Sequence, residues 1–149
     1  MAIIAVCGPM GSGKSYYVNK RKRWGDLIID LDEIYRALGG AGGHEHPETL
    51  VPVALSVRDF LYEWIQENDP AFDIWIITGG AKRRDRIALR DMGAHVIIFE
   101  TCLASCMRNI GRDETRKDKL KLWEPLIKSW WDKYERSNDD EIIRERFDP

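Results

Sequence analysis

The chain has 149 residues, 44% hydrophobic and 32% charged, and its 23 basic and 25 acidic side chains leave a net charge of −2. That is the size and balance of one soluble globular domain spanning 1–149, with enough chain to bury a single core. No apolar run approaches the roughly 18–20 residues that cross a bilayer, no basic, cleavable leader opens the sequence, and the cysteines (Cys7, Cys102, Cys106) are sparse and odd in number. Together these point to a reduced, cytoplasmic protein without a membrane partner.

In chain order, Ala2 to Cys7 is a short apolar run that reads as a buried strand. GPMGSGKS follows at once and fits G-x-x-x-x-G-K-[ST], the phosphate-cradling loop, with a helix predicted from Ser15 onward. The expected nucleotide-binding set is Gly8, Gly11, Ser12, Gly13, Lys14 and Ser15. The glycines let backbone amides turn toward phosphate oxygens, and the helix N-terminus adds to the anion site. Lys14 would reach the β- and γ-phosphates of ATP, and the Ser15 hydroxyl would coordinate Mg²⁺.

Asp26 to Asp30 is the second predicted strand, and Leu31 to Leu38 a helix that stops at a glycine-rich loop. HEHP (44–47) leads into a long helix over 48–68, with Pro52 in its first turn, where the missing N–H costs least. Asn68-Asp69-Pro70 ends that helix; Phe72 to Thr78 is the third strand, 81–93 a helix closed by Gly93, and Ala94 to Glu100 the fourth strand. From Thr101 onward the pattern is helical, broken near Gly111 and running toward Tyr134. Strands alternating with helices imply an α/β fold: a three-layer P-loop NTPase domain, its short parallel sheet having about four or five strands, with a helical C-terminal lid region.

Four stretches, taken in order, carry a resemblance: GPMGSGKS, LIIDLDEIYR, WIITGGAKRRDR and CMRNIGRDETR. They are similar to the 5′-hydroxyl kinase domain of bacteriophage polynucleotide kinase, and to small phage P-loop proteins known as ATP-binding. The resemblance implies an ATP- and Mg²⁺-dependent kinase whose acceptor is a nucleic acid 5′ end or a nucleotide, with a nucleoside or nucleoside monophosphate kinase as the alternative. It makes Asp32 the first candidate for the general base on the acceptor hydroxyl and Asp30 the second, with Mg²⁺ or water as the other role for Asp30. It gives Arg36 an acceptor-phosphate role, although Asp32 to Arg36 is one residue longer than the family's spacing. Arg108, Arg112 and Arg116 recur every fourth residue and so share a helix face. By the same match Arg112 contacts the γ-phosphate, with Arg108 next to it, and the basic stretch from Lys82 to Arg86 serves a polynucleotide.

The family places its acceptor near the loop that here holds His44 and His46, and Arg58 on the following helix is a further candidate contact. A catalytic zinc site would need about three protein ligands, which these two histidines do not supply. Cys102 and Cys106 are expected to pack as small apolar residues. Trp130 and Trp131 cannot both face one side of a helix, which leaves one exposed to stack on a nucleic acid base, or serving the packing of the C-terminal helix or a contact with a second copy in a homo-oligomer.

One element is missing. Strand three of many P-loop enzymes ends in an acid that helps hold Mg²⁺, whereas WIIT runs into Gly79-Gly80. That absence weakens the case for water-activating hydrolysis and, with the longer Asp32–Arg36 spacing, argues for one rival, a nucleotide-binding module without catalysis; a simple ATPase is the third reading.

Overall fold

The computed structural model describes residues 1–39, 46–114, 117 and 120–144. Its elements are β1 (Ile3–Cys7), α1 (Lys14–Arg21), β2 (Leu27–Asp30), α2 (Leu31–Ala37), a 3-10 turn at Glu48–Leu50, α3 (Val51–Asn68), β3 (Ile74–Thr78), α4 (Arg83–Asp91), β4 (Ala94–Glu100), α5 (Leu103–Gly111), α6 (Leu120–Lys133) and β5 (Glu141–Arg144). The strands form one sheet in the order β2-β3-β1-β4-β5, with every neighbouring pair parallel.

The central strands β1 and β3 are apolar along almost their whole length because both faces of the sheet are covered there. Ala5, Cys7, Ile74, Ile76, Val96 and Ile98 pack on one face with Ile65 of α3, Leu89 of α4 and Trp130 of α6. Val6, Trp75, Ile97 and Phe99 face the other way, where Val18 of α1 meets them. The alternation follows directly from the period of two along a strand. The result is the expected three-layer α/β/α arrangement. A third cluster, Cys106, Ile110, Trp123 and Ile127, joins α5 to α6.

Local chemistry sets the ends. Asp30 caps α2, its carboxylate accepting the Asp32 amide at 3.0 Å. Proline stands in the first turn of α3, and Asp69 closes that helix with φ of 41°. Among the described residues no helix is long and apolar enough to cross a membrane.

Three expectations are corrected. The C-terminal region is not helical throughout: β5 pairs with β4, Ile98 opposite Ile142 and Phe99 opposite Ile143. It was hidden because only two apolar residues stand between flanking charges, too few to show a period. Trp130 and Trp131 are both packed, their indole N–H groups donating to Gly79 O at 2.9 Å and Thr101 O at 3.0 Å. The fully exposed tryptophan is Trp24, at 104%. Of the two helix-turn cysteines only Cys106 is buried, and Cys102 is exposed.

The C-terminal strand is held by charge. Arg86 and Asp140 are each 0% exposed at the side chain and meet at 2.8 Å. Arg86 Nη1 also donates to Gly80 O at 2.7 Å and Ala81 O at 2.8 Å, Nη2 donates to Glu135 O, and Arg90 reaches the other Asp140 oxygen at 2.5 Å. Glu100, at the end of β4, takes hydrogen bonds from Tyr134, Arg136 and Arg144. Burial opposes its charge, but these donors win and hold its carboxyl at about 2.

Removing one partner of a buried pair strands the other charge. Asp140→Ala should therefore lower the unfolding free energy in urea by about 3 kcal/mol or more. A loss under ~1 kcal/mol, the size of an exposed pair, would contradict the assignment of Arg86 and Asp140 as the clamp of the C-terminal strand.

Candidate functional site

The loop after β1 is shaped by what presses on it. Gly11 has φ of 79°, and a Cβ there would lie 2.6 Å from Cys106 O and 2.9 Å from Ile110 Cγ1, so only glycine lets α5 rest on the loop. Asn109 of α5 donates its side-chain amide to Gly11 O at 2.8 Å. On the other side Gly8 N donates to Gly79 O at 3.1 Å, tying the loop to the turn after β3. Gly13, with φ of 98°, opens α1. Lys14 Nζ arches over the loop, donating to Gly8 O at 2.5 Å and Pro9 O at 3.1 Å. The Ser12 hydroxyl is buried and has no hydrogen-bond partner among the described residues.

A cleft of about 880 Å³ opens above this loop at the C-terminal ends of β1, β2 and β3. Such a crevice is where parallel sheets of this kind take ligands. The six loop residues expected to bind the nucleotide line it while Arg108, the seventh, does not; Asp30, Asp32, His46 and Arg112 line it as well. Asn109, Leu126 and Trp130 also line it and were not among the expected residues. Trp130 was legible as one of a tryptophan pair with a base-stacking alternative but not as a wall of this cleft, and Asn109 only as a letter between two arginines.

Other expected residues lie elsewhere. Arg108 bonds Ser105 one turn back at 3.5 Å and does not line the cleft. Arg36 forks onto Glu33 at 3.0 and 3.2 Å on the outer face of α2. Arg58 and Tyr62, one turn apart on α3, line a second, smaller cleft of about 180 Å³. Thr78 lines it too, and it shares Lys14, Asp30, Asp32 and His46 with the first. His44 and Arg116 lie outside the described residues. The basic run expected to serve a polynucleotide is partly spent inside the fold: Arg86 is buried against Asp140, and Arg83 donates to Arg136 O at 2.5 Å.

The two acids are distinguished by their surroundings. Burial pushes the Asp30 carboxyl up, the neighbouring Asp32 carboxylate adds to this, and Lys14 pulls the other way. Asp32 contacts His46 Nε2, and the His46 ring stacks on Tyr35 with centroids 3.9 Å apart and 16° between the planes.

Among the described residues no group of three or more His, Cys, Asp or Glu could hold a metal alone. Magnesium does not need one, since it is bound by one or two carboxylates together with phosphate oxygens and water. The Ser15 hydroxyl and the two aspartates supply hard oxygen donors beside the phosphate loop, and the orphaned Ser12 hydroxyl is one that a phosphate oxygen would satisfy. The residues present therefore fit a magnesium-nucleotide.

No protein-family model and no curated protein matches the sequence. Solved structures do. A gluconokinase from Sinorhizobium meliloti aligns at 14% identity over 96% of this chain and 82% of its own, with a TM-score of 0.58. Shikimate kinase from Bacteroides thetaiotaomicron aligns at 13% identity over 96% and 86%, with a TM-score of 0.55. Kti12 from Chaetomium thermophilum, in complex with ADP-AlF3, aligns at 16% identity over 98% and 89%, with a TM-score of 0.51. At such identities the likeness is one of fold: the chain has a P-loop kinase-like fold.

The raised Asp30 carboxyl fixes the sign of a stability effect. The folded state disfavours its charge, so Asp30 costs stability above its folded pKa, and the cost fades as pH falls into the ordinary carboxyl range. Asp30→Asn keeps a capping oxygen and should raise Tm by about 2 °C at pH 8, with the gap closing near pH 4. An equal or larger fall in Tm at pH 8 would refute this.

Proposed function

We propose that the chain is an ATP-dependent phosphotransferase that moves the γ-phosphoryl group to a hydroxyl. One observation carries the reading: two clefts, one over the phosphate loop and one beside it, meet at Lys14, Asp30 and Asp32. A donor in the first and an acceptor in the second would face each other there.

Each residue then has a task. The loop amides and Lys14 hold the β- and γ-phosphates, and Arg112 offsets charge that spreads over the transferred group. Asp32, exposed to both clefts and in contact with His46, accepts the proton of the acceptor hydroxyl. A bond forms between that oxygen and the γ-phosphorus as the bond to the β,γ-bridging oxygen breaks, and ADP leaves. Asp30 suits the metal better than the base, because its carboxylate is already engaged in capping α2. Magnesium, held by Ser15 and Asp30, would neutralise phosphate charge. Nothing in this scheme needs an acid at the end of β3, since positioning and charge neutralisation carry most of such a transfer.

A nucleic acid 5′-hydroxyl as the acceptor keeps the support of the motif order and of Arg112 at the cleft. It loses that of α4, whose Arg86 and Arg90 are paired internally.

With γ-labelled ATP and Mg²⁺, label should pass to a hydroxyl acceptor. Lys14→Ala should weaken donor binding and remove transfer, while Asp32→Asn should slow transfer about 10²–10⁴-fold with ATP still bound. Label released to water at the same rate with and without acceptors would make the chain an ATPase. Binding without any turnover would make it a nucleotide-binding module.

A further inference from the structure

We infer that the second cleft selects a small hydroxy compound bearing a negatively charged group, carboxylate or phosphate, and that Arg58 is the residue that selects it. The inference rests on the phosphotransferase reading and specifies its acceptor.

Size comes first. Pockets for drug-sized ligands run to roughly 300–1,000 Å³, whereas this one is about 180 Å³. It is a small side pocket of the first cleft, of a size that suits a short polyol acid or a small sugar phosphate better than a whole nucleotide.

Charge follows a polarity along the cleft. At the end shared with the donor stand Asp30 and Asp32, which repel an anion from the path of transfer. On the α3 wall stand Arg58 and Tyr62, four residues apart and so on one helix face. Arg58 does not pair with either aspartate across the cleft. Its Nε and Nη2 share a single oxygen of the adjacent Asp59, at 3.3 and 3.1 Å. Nη1 has no hydrogen-bond partner among the described residues. Its side chain is 34% exposed against 61% for Asp59, so the cation is the more enclosed of the two. Burial keeps the Tyr62 phenol in its neutral form, a hydrogen-bond donor beside the guanidinium. A planar guanidinium with a donor beside it suits the planar or tetrahedral oxygens of a carboxylate or phosphate. An acceptor anchored there by its anion presents its far hydroxyl to Asp32.

The test measures binding of matched pairs to the full chain saturated with a non-hydrolysable ATP analogue and Mg²⁺. The pairs are gluconate against glucose, glycerate against glycerol, and glycerol phosphate against glycerol. AMP and a 5′-hydroxyl oligonucleotide are run alongside. At least one charged member should bind about tenfold or more tighter than its neutral partner, and the carboxylate and phosphate arms identify which anion is preferred. Arg58→Gln should erase that preference, and Arg58→Lys should retain part of it. The inference is overturned if neutral and charged members bind alike, if none binds, if AMP or the oligonucleotide binds best, or if the preference survives in Arg58→Gln. It is also overturned if the variant loses the ATP analogue as severely as the acid, since that marks a structural role. The transfer assay separates the two levels: an acid that binds at Arg58 but is never labelled leaves the selective cleft standing and removes the phosphotransferase.

Discussion

A guanidinium with no access to water sits under this site, and the rest of the architecture accommodates it. Arg86 is 0% exposed, and a buried charge persists only when it is paired and its donors are satisfied. Its acceptors come from two places distant in sequence: the carbonyls of Gly80 and Ala81 in the turn after β3, and Glu135 and Asp140 in the segment leading to β5. The cation therefore fixes the β3–α4 turn and docks the last strand at once. The adjacent carbonyl in that turn, Gly79 O, accepts from Gly8 N of the phosphate loop and from the Trp130 indole of α6. One buried cation is thus two hydrogen-bonded steps from the loop that would hold a nucleotide.

The same turn leaves no room for a side chain at its second glycine. The turn packs so closely on β1 that a Cβ at Gly80, where φ is 57°, would stand 2.6 Å from Cys7 Sγ. Burial there pushes the Cys7 thiol up to about 12, so it stays a packing group rather than a nucleophile. With carbonyls and glycine occupying this position, carboxylates enter the cleft from the neighbouring strand. Asp30 ends β2 opposite Ile77 of β3, and Asp32 follows in the first turn of α2. These two acids line both clefts.

Much of this could be read from the sequence because its signals are local. The phosphate loop announces itself by glycine spacing between an apolar run and a helix, and four of the strands by continuous burial on two faces. Asp30 and Asp32 follow from strand register. What escaped depends on partners far away in the chain. The motif match set Arg108 beside Arg112, yet only Arg112 lines the cleft, because the turn of α5 that meets the loop does so through Asn109 and Ile110. The arginines of α4 look like a surface patch until Asp140, some fifty residues on, is placed against them. β5 shows no pattern of its own because its partner β4 supplies its burial. Arg58 was a candidate contact from the start, but that Tyr62 stands with it on the wall of the second cleft depends on the packing of α3, which no periodicity reveals.

The two clefts also bear on the choice between hydroxyl and water as the phosphoryl acceptor. A hydrolase must place and activate one water at the γ-phosphate, and many P-loop enzymes rely on β3 for the metal chemistry that supports it. Here the end of β3 offers glycine carbonyls already committed to Gly8 and Trp130. The wall that does face the phosphate path, α2 with α3, carries a carboxylate in contact with histidine and, farther out, an arginine and a phenol. In the proposed scheme the carboxylate takes the proton of the attacking group, and the arginine and phenol would hold the other end of an organic acceptor. Holding such an acceptor against the donor supplies the orientation that makes the transfer effectively unimolecular. It also fills the space from which water would compete.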